Sequence, residues 1–559
     1  MAASDIATRA RGAEVAAAAL VRLGVRHVFG VGGANIEDMF LAVQRRRPEI
    51  MAVLDKHEHS AGTAADAYAR ITRSLGVVLT TSGGGAMNLV SALAESLASR
   101  VPVLAIVGEP ATSLQGRGAF QDTSGRGAVD AQSVFRGVSV SCERCNDARD
   151  LAALVEVSGW KALEQGGPAV LLVAKDLQQA QVEHRITTEP AEPRPQSRLE
   201  PDPPLIVEAA DVLTDRPVVI VAGDEVARAG AQQDLARLAN VLDARVAVTP
   251  DGRDAFDNDD VRFVGVTGAM GHDRARETLV SARVCVLAGT RMPLLARLGH
   301  EAVLEARARL SIGRDLPFVS SPRAVHIGGD LVRNVRALAA ELERRRPGPS
   351  EETTPLSIVT ASTRALVESD RLPYGSASIL RAVTPTLPEG SVVLVDAGNT
   401  GAHAVHHVHA PRDGRWLIAM GMAGMGYTFG GAIGAAFATG KRTLVVAGDG
   451  AFFMHGLEIH TAIEHQLPIT YVIVNNQAHG MCLLRERLLL REESGCNVFR
   501  KSNIGAGLAA MFPGLASSDC RTLSEVERAV ARAALVPGPS VVCACLPDVD
   551  VPPFAAFRP

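Results

Sequence analysis

Residues 444–481 read LVVAGDGAFFMHGLEIHTAIEHQLPITYVIVNNQAHGM, and this stretch decides the fold. An apolar run at 444–447 predicts a buried strand that ends at Gly448-Asp449-Gly450. A second apolar run at 469–474 ends at Asn475-Asn476. Strand, helix and strand in this order predict a parallel crossover unit, in which the polar residues that end both strands meet at one edge of the sheet.

The connecting stretch predicts an amphipathic helix. Its apolar residues recur at roughly helical spacing, at Phe453, Leu457, Ile459 and Ile463. Leu467-Pro468 ends this helix before the second strand.

The two strand ends carry residue types that suit a phosphorylated ligand and a divalent cation. Gly448 and Gly450 allow the backbone to approach a phosphate, and the helix that follows offers free N–H groups. Asp449 and Asn476 supply two oxygen ligands, and the Ala478 carbonyl is the expected third, as an octahedral magnesium ion requires. Gly-Asp-Gly alone is also an ordinary turn, so the spacing to Asn-Asn gives the pattern its specificity.

Composition narrows the class of protein. The chain has 559 residues, 47% hydrophobic and 21% charged, and a formal net charge of −4, which predicts a globular protein without a nucleic-acid footprint. No apolar run reaches the length of a membrane span, and the N-terminus predicts an amphipathic helix rather than a signal peptide. We therefore expect no membrane partner and a cytoplasmic location.

The eight cysteines do not predict a zinc site. Cys142 and Cys145 form a single C-x-x-C without a second pair at zinc-finger spacing. Cys543 and Cys545 alternate in an apolar strand and are expected in the core. Irregular spacing also disfavours a metal site in the histidine cluster that follows Asn399-Thr400, at His403, His406, His407 and His409.

Apolar strands alternate with helical stretches along the whole chain. The pattern predicts an α/β fold with three doubly wound parallel-sheet domains, at residues 1–185, 205–345 and 356–559. Proline-rich or polar stretches at 183–204 and 344–355 predict the linkers.

The Gly-Asp-Gly to Asn-Asn pattern resembles the diphosphate–magnesium motif of the thiamine diphosphate-dependent enzymes. The first domain agrees, with LDKHEHSAGTAADAYAR around Glu58 and, among others, VFGVGGANIEDMF, TTSGGGAMNLVSALAES, RVPVLAIVGEP and GAFQDTS. These motifs resemble the pyrimidine-binding domain of the acetolactate synthase, benzaldehyde lyase and oxalyl-CoA decarboxylase group. The resemblance covers nearly the whole chain and implies pyrimidine-binding, central and diphosphate-binding domains in that order.

The resemblance implies three catalytic candidates in the first domain. Glu58 matches the glutamate that shares a proton with the aminopyrimidine ring of the cofactor, although a glutamate at a helix start is often only a favourable charge. Gln121 matches a glutamine that faces the reacting carbon, and a solvated loop glutamine is the alternative. Asn35 falls in the loop where benzaldehyde lyase has histidines, and it can hydrogen-bond a substrate but is a poor proton shuttle.

The resemblance also implies the cofactor contacts. Met425 matches the apolar residue that props the cofactor in its bent form, and the Ala423 carbonyl would hold the amino group. The central domain has partial matches to an FAD site at Gly289-Thr290-Arg291 and at 265–271, so FAD stays open. The full set of cofactor-binding candidates is Gly398, Asn399, Thr400, Ala423, Met425, Gly448, Gly450, Ala451, His479, Gly480 and Met481.

The expected function is a thiamine diphosphate- and magnesium-dependent carboligase similar to acetolactate synthase, with a 2-oxo acid such as pyruvate as donor and a carbonyl compound as acceptor. A 2-oxo-acid decarboxylase and an acyloin or aldehyde lyase are the alternatives. A non-catalytic regulatory homologue is disfavoured because Glu58, Asp449 and Asn476 are all present. The resemblance implies a homodimer or homotetramer with active sites between chains.

Overall fold

The computed structural model describes residues 8–184, 200–321, 323–345 and 373–557. Three six-stranded sheets dominate these ranges, and all their strand pairs are parallel. Helices flank each sheet, which confirms the predicted doubly wound α/β class. The predicted linkers at 183–204 and 344–355 lie mostly outside the described residues, and the domain boundaries stay predictions.

The first sheet has the strand order β3-β2-β4-β5-β7-β6, and β1 pairs with β8 in a separate antiparallel ribbon. The strands are β1 Thr8–Arg11, β2 His27–Gly30, β3 Met51–Leu54, β4 Gly76–Thr80, β5 Val103–Glu109, β6 Ser141–Arg144, β7 Ala169–Ala174 and β8 Gln181–His184. The helices are α1 Gly12–Arg22, α2 Glu37–Gln44, α3 Glu58–Thr72, α4 Gly84–Ala98, α5 Ala131–Arg136, α6 Leu151–Gln165 and α7 Lys175–Gln179.

The central sheet has the strand order β11-β10-β9-β12-β13-β14. Its strands are β9 Val218–Ala222, β10 Arg245–Val248, β11 Phe263–Val266, β12 Val284–Ala288, β13 Ala308–Ile312 and β14 Ala324–Ile327. Its helices are α8 Pro203–Val212, α9 Asp224–Ala229, α10 Gln232–Leu242, α11 Asp273–Ser281, α12 Leu294–Arg297, α13 Glu301–Ala306 and α14 Leu331–Arg345.

The third sheet has the strand order β16-β15-β17-β18-β20-β19. Its strands are β15 Val392–Val395, β16 Arg415–Ile418, β17 Thr443–Gly448, β18 Ile469–Asn475, β19 Ala516–Cys520 and β20 Ser540–Cys545. Its helices are α15 Ser376–Val383, α16 Asn399–His407, α17 Tyr427–Thr439, α18 Asp449–His455, α19 Ile459–Glu464, α20 Gly480–Arg485, α21 Ile504–Met511 and α22 Leu523–Leu535. No described helix combines the length and the apolarity that crossing a membrane requires.

The predicted crossover unit is present, but its helix is interrupted. β17 and β18 are neighbours in parallel register, and every residue of β18 is buried, as expected for a strand covered on both faces. Between them, α18 and α19 are separated by a 3₁₀ turn, Gly456–Glu458. The interruption rotates the two halves relative to each other, so the predicted apolar side is wrong for Phe453 and Leu457, which are exposed.

The first and third domains pack through α3 and α17 at a very short distance. A Cβ atom at Gly430 would lie 2.2 Å from the Ser60 carbonyl oxygen, and one at Gly434 would lie 1.9 Å from that of Ala64. Only glycine fits at such backbone contacts. The glycine-rich sequence of α17 therefore sets how closely α17 of the third domain approaches α3 of the first.

Candidate active site

Glycines at the carboxyl edge of the third sheet bring several predicted residues together. A Cβ atom at Gly450 would lie 2.9 Å from His479 Nδ1 and 3.0 Å from Met425 Cε. One at Gly448 would lie 3.5 Å from Thr400 Oγ1. Residues from four separate segments of the sequence therefore form one small concave surface, which we call the third-domain cradle: Gly398, Asn399, Thr400, Met425, Gly448, Asp449, Gly450, Asn476, His479 and Gly480.

Asp449 is the buried acid of this cradle. Its Oδ1 accepts a hydrogen bond from the Gly450 N–H at 3.0 Å, whereas Oδ2 is buried without a partner among the described residues. Burial raises the pKa of Asp449 to about 6. A buried carboxylate oxygen without a partner is costly unless a ligand satisfies it, and a divalent cation would do so.

The neighbouring oxygens fit the same ligand. Asn476 is buried and its Oδ1 accepts from the Ala478 N–H at 3.2 Å, which leaves a second lone pair. Asn399 Nδ2 donates to the Asp550 carbonyl at 2.9 Å, and Asn399 Oδ1 is a buried acceptor with no partner among the described residues. The cradle thus holds more oxygen acceptors than the described residues satisfy.

The start of α16 adds backbone donors to the cradle. Gly398 precedes the helix with φ at 108°, and a Cβ atom there would meet no atom within 4 Å. An open, positively polarised helix start beside these buried acceptors suits a phosphate group. The remaining cofactor-binding candidates lie nearby. Ala451 is buried in α18, and Met481 is partly buried against the core. A Cβ atom at Gly480 would lie 2.9 Å from Asn476 Nδ2.

The loop before α17 carries Ala423 and Met425, and it is held by the first domain. Glu95 of α4 accepts hydrogen bonds from the N–H groups of Gly421 at 3.1 Å, Met422 at 2.5 Å and Ala423 at 3.3 Å. Ala423 has a left-handed backbone with φ at 53°. A non-glycine residue keeps this conformation only when its surroundings enforce it, and the three bonds to Glu95 provide that constraint.

Glu95 is itself fixed by a buried network. Arg70 Nη2 donates to Glu95 Oε1 at 3.4 Å, and Arg70 Nε donates to Asp66 Oδ1 at 2.6 Å. Asp66 Oδ1 also accepts from the Tyr427 hydroxyl at 2.6 Å, at the start of α17. Sequence reasoning missed Glu95, because only its place on the buried face of an apolar helix marked it as unusual.

The first-domain half of the site surrounds Glu58. Glu58 is the first residue of α3 and is only 9% exposed. Asn88 Nδ2 donates to its Oε2 at 3.0 Å, and a Cβ atom at Gly85 would lie 2.8 Å from its Oε1. The Glu58 carboxyl group is therefore oriented by the Asn88 donor. It lies so close to Gly85 that a larger residue at position 85 would clash with it.

Thr81 connects Glu58 with the two other predicted catalytic residues. Its methyl group and Glu58 Oε1 both lie next to the Cβ position of Gly85. Its hydroxyl donates to Gln121 Oε1 at 3.4 Å and accepts from the Asn35 N–H at 3.3 Å. Asn35 is buried, and its Nδ2 donates to Ser82 Oγ at 2.7 Å. The structure thus groups Asn35, Glu58 and Gln121 around Thr81.

His57 and His59, which flank Glu58, contact a third histidine, His455, which the sequence analysis did not identify. The His59 ring stacks on His455 of α18 at 4.4 Å, and the His57 ring meets His455 edge-on at 5.1 Å. Burial lowers the pKa of His59 to about 3 and that of His455 to about 4, so both imidazoles are neutral at neutral pH. They form a packed contact between the domains rather than a charged group beside Glu58.

Within one chain, the first and third domains are in contact beside both halves of the site, through Glu95 and through His57 and His59. Among the described residues, no hydrogen bond or ion pair joins Asn35, Glu58 or Gln121 to the third-domain cradle. Phe120, beside Gln121, is 79% exposed, which is unusual for a large apolar side chain.

Comparison with known proteins assigns the family. Residues 10–129 match the thiamine pyrophosphate enzyme N-terminal TPP binding domain, 207–333 the central domain and 396–544 the C-terminal TPP binding domain. The three matches follow the order of the three sheets. The chain belongs to the thiamine pyrophosphate-dependent enzymes. Thiamine pyrophosphate and thiamine diphosphate are the same cofactor.

Relatives of known name support this family assignment at low identity. The acetolactate synthase large subunit of Parasynechococcus marenigrum is 29% identical over 83% of this chain and 76% of its own length. The acetolactate synthase of Arthrospira platensis is 28% identical over 85% and 83%. YdaP of Bacillus subtilis, a protein named for containing thiamine pyrophosphate, is 26% identical over 83% and 79%. The chain is therefore a thiamine diphosphate-dependent enzyme of the lyase or transferase class, similar to acetolactate synthases.

Proposed function

We propose that this enzyme is a magnesium-dependent carboligase, which takes an acyl unit from a 2-oxo acid such as pyruvate and adds it to a carbonyl acceptor. The observation that carries the proposal is the pair of half-sites: a cradle with unsatisfied buried oxygens in the third domain, and an enclosed carboxyl group in the first. The names of two relatives, both acetolactate synthases, favour the choice of donor.

The third-domain cradle would hold the diphosphate and its magnesium ion. Asp449, Asn476 and the Ala478 carbonyl would supply the protein oxygens of an octahedral site. Gly448, Gly450 and the start of α16 would let backbone N–H groups reach the phosphate oxygens. Met425 would support the middle of the cofactor, since it borders Gly450, and the Ala423 carbonyl would accept from its amino group.

Thiamine diphosphate, when bound, supplies the carbon nucleophile and the electron sink for breaking a bond next to a carbonyl. Glu58 would donate and accept the proton that the aminopyrimidine ring exchanges, with Asn88 holding its Oε2 in place. Gln121 and Asn35 would hydrogen-bond the substrate carbonyl or carboxylate. Neither amide side chain transfers protons readily. The site therefore suits addition of the acyl unit to a carbonyl acceptor better than protonation of that unit to release an aldehyde.

We further propose a homodimer or homotetramer in which Glu58 of one chain faces the cradle of another. Exposed large apolar side chains on the loops and short helices near both halves support this arrangement, namely Phe120, Met422, Phe453, Met454 and Leu457. Light scattering on the purified protein would measure the assembly directly.

The test is an assay of carbon dioxide release and acetolactate formation from pyruvate with thiamine diphosphate and magnesium. Acetolactate in step with carbon dioxide, lost in Glu58→Gln, would support the proposal. Acetaldehyde instead would identify a 2-oxo-acid decarboxylase. No carbon dioxide release, with the cofactor still bound, would exclude pyruvate as donor and direct attention to acyloins and aldehydes.

FAD in the central domain stays a prediction that the absorption spectrum of the purified enzyme would test. Arg291, part of the partial FAD match, already donates to the Ala98 carbonyl at 2.8 Å and lies over the Phe318 ring. A cytoplasmic location likewise stays a prediction, to be tested by cell fractionation.

A further inference from the structure

Three side chains that could ligate a metal meet at the outer strands of the third sheet. Asp519 is the residue before Cys520, the last residue of β19, and Cys543 and Cys545 lie at the end of β20. One carboxylate oxygen and the two sulfur atoms all lie within 4.8 Å of one another, with Cys545 Sγ at 3.8 Å from Asp519 Oδ1. Among the described residues, this is the one group of histidine, cysteine and acidic side chains with such spacing.

Strand register places the three side chains on one face of the sheet. Cys543 and Cys545 are two residues apart on β20, so they point to the same side. Asp519 is the register partner of Cys543 in the parallel pair β19–β20, and register partners in a parallel pair share a face. The arrangement is therefore fixed by backbone pairing and not by chance rotamers of surface side chains.

A fourth polar group lies on the same face. Asn475, the last residue of β18, is the register partner of Cys545 and is fully buried. Its Nδ2 donates to the Ser502 carbonyl at 3.1 Å, but its Oδ1 has no hydrogen-bond partner in the part of the chain that the structure describes. A buried amide oxygen without a donor next to two thiols is costly unless something else satisfies it.

Backbone N–H groups at the start of α21 hold the Asp519 carboxylate in place. Its Oδ1 and Oδ2 each accept a backbone N–H at 2.9 Å, from Gly505 and Ala506 at the start of α21. A Cβ atom at Gly505 would lie 2.4 Å from the carbonyl carbon of Ser518, so the helix start packs directly on β19. Metal ligands in proteins are commonly oriented by such outer hydrogen bonds, which leave lone pairs on the carboxylate for the ion.

We propose that Cys543, Cys545 and Asp519 bind a thiophilic divalent cation such as Zn²⁺, with Asn475 Oδ1 or a water molecule as the fourth ligand. Two sulfur ligands favour zinc over magnesium or calcium, which prefer oxygen. Zinc bonds to sulfur at about 2.3 Å, so two thiolates on a tetrahedral ion lie about 3.8 Å apart. The ligand atoms here lie within 4.8 Å of one another, so a small movement would bring them to that spacing. Both thiols lose their protons to solvent as the ion binds.

This site is distinct from the proposed magnesium site, yet the two share a strand end. Asn475 is followed directly by Asn476 of the third-domain cradle. An ion at the cysteines would join β18, β19 and β20 at the edge of the sheet that carries the cradle. It would thus stabilise the end of the strand that positions Asn476.

The experiment uses the full-length enzyme, reduced and loaded with thiamine diphosphate and excess magnesium so that the cradle is occupied. Cys482 and Cys496 are exposed, so both are changed to serine to remove adventitious thiol binding. Cobalt titration should then produce thiolate-to-cobalt absorption and tetrahedral d–d bands that saturate at one ion per chain. Zinc should displace the cobalt.

Three variants in this background decide the outcome. Cys545→Ser and Asp519→Asn should each weaken zinc binding by about tenfold or more, measured by competition with a chromophoric chelator. Cys520→Ser is the matched control, because Cys520 is buried next to Asp519 on the opposite face of β19, and it should leave binding unchanged. Circular dichroism verifies that each variant is folded.

Absence of saturable cobalt absorption in the folded Cys482/Cys496 background protein would overturn the proposal. Unchanged zinc affinity in folded Cys545→Ser would overturn it as well. Equal loss in the Cys520→Ser control would do the same, since it would place the ion elsewhere.

Discussion

The first and third sheets have the same strand order but different chemistry at their carboxyl edges. Each sheet connects its strands in the same sequence, β3-β2-β4-β5-β7-β6 in the first domain and β16-β15-β17-β18-β20-β19 in the third. The first strand in each order is an edge strand, β3 or β16, and it is followed in the chain by a long helix, α3 or α17. These two helices pack on each other. The central sheet has another order, β11-β10-β9-β12-β13-β14.

The difference lies in the residues that follow equivalent strands. After β17 the third domain has Gly-Asp-Gly, with a buried carboxylate oxygen that lacks a partner. After the equivalent β4 the first domain has Thr81-Ser82-Gly83-Gly84-Gly85, which encloses Glu58. One edge thus suits a cation and phosphates, and the other encloses a single carboxyl group, to which we assign proton exchange. Under the proposed function, a repeated fold would carry two halves of one site.

Loss of the first-domain acid should have the largest effect on turnover. Glu58→Gln keeps the shape of the side chain and the bond to Asn88 but removes the exchangeable proton. We expect turnover to fall by about 10²- to 10⁴-fold with little change in thiamine diphosphate affinity. Steady-state kinetics and calorimetric titration measure the two quantities. Glu49→Gln, on the surface of the same domain, is the control, and weak cofactor binding in Glu58→Gln would assign Glu58 to binding instead.

The matching change in the third domain should act on binding. Asp449→Asn removes the anionic ligand, so we expect magnesium-dependent affinity for thiamine diphosphate to fall by about 100-fold. Calorimetric titration with and without magnesium measures this loss. Asp413→Asn, on an exposed turn of the same domain, should bind normally. Normal magnesium dependence in Asp449→Asn would place the cation elsewhere.

A smaller effect is expected where the first domain holds the loop of the third. Glu95→Gln should weaken the bonds to the N–H groups of Gly421, Met422 and Ala423, and loosen the loop that carries Met425. We expect kcat to fall by about tenfold, since small displacements of positioning groups are costly, while the magnesium affinity stays unchanged. Ser99→Ala removes a different bond to the same Glu95 carboxylate and is the control. An unchanged kcat would show that the loop is held by other contacts.

The smallest effect concerns a carboxyl pair between the same two domains. Burial and the nearby Glu458 raise the pKa of Asp55 well above its ordinary value. The folded state therefore disfavours ionisation of Asp55. The free energy of unfolding falls as pH rises from the unfolded-state pKa of Asp55 to its higher folded-state pKa. Asp55→Asn should raise the thermal unfolding midpoint by a few degrees at mildly alkaline pH and by less at mildly acidic pH. The opposite trend would contradict the assigned burial effect.

Much of this organisation was predictable from the sequence, because buried parallel strands are short apolar runs with polar or glycine residues at their ends. The crossover from β17 to β18 and the presence of three α/β units follow from that pattern, whereas the order of the three domains was implied by the family resemblance. The exposure of Phe453 and Leu457 could not be predicted from that pattern, because the 3₁₀ turn at Gly456–Glu458 interrupts the helical periodicity. Glu95 was also missed, since its partner Gly421 lies 326 positions away and no local pattern connects them.

The most direct test of the proposed division of labour is to combine the two inactive chains. Glu58→Gln and Asp449→Asn would be co-expressed with different affinity tags, and the doubly tagged assembly would be assayed for carbon dioxide release from pyruvate. If one chain supplies the acid and another the cradle, each mixed assembly contains an intact site, so we predict partial activity where both parents have almost none. A doubly tagged assembly as inactive as its parents would contradict a site built from the first domain of one chain and the third domain of another.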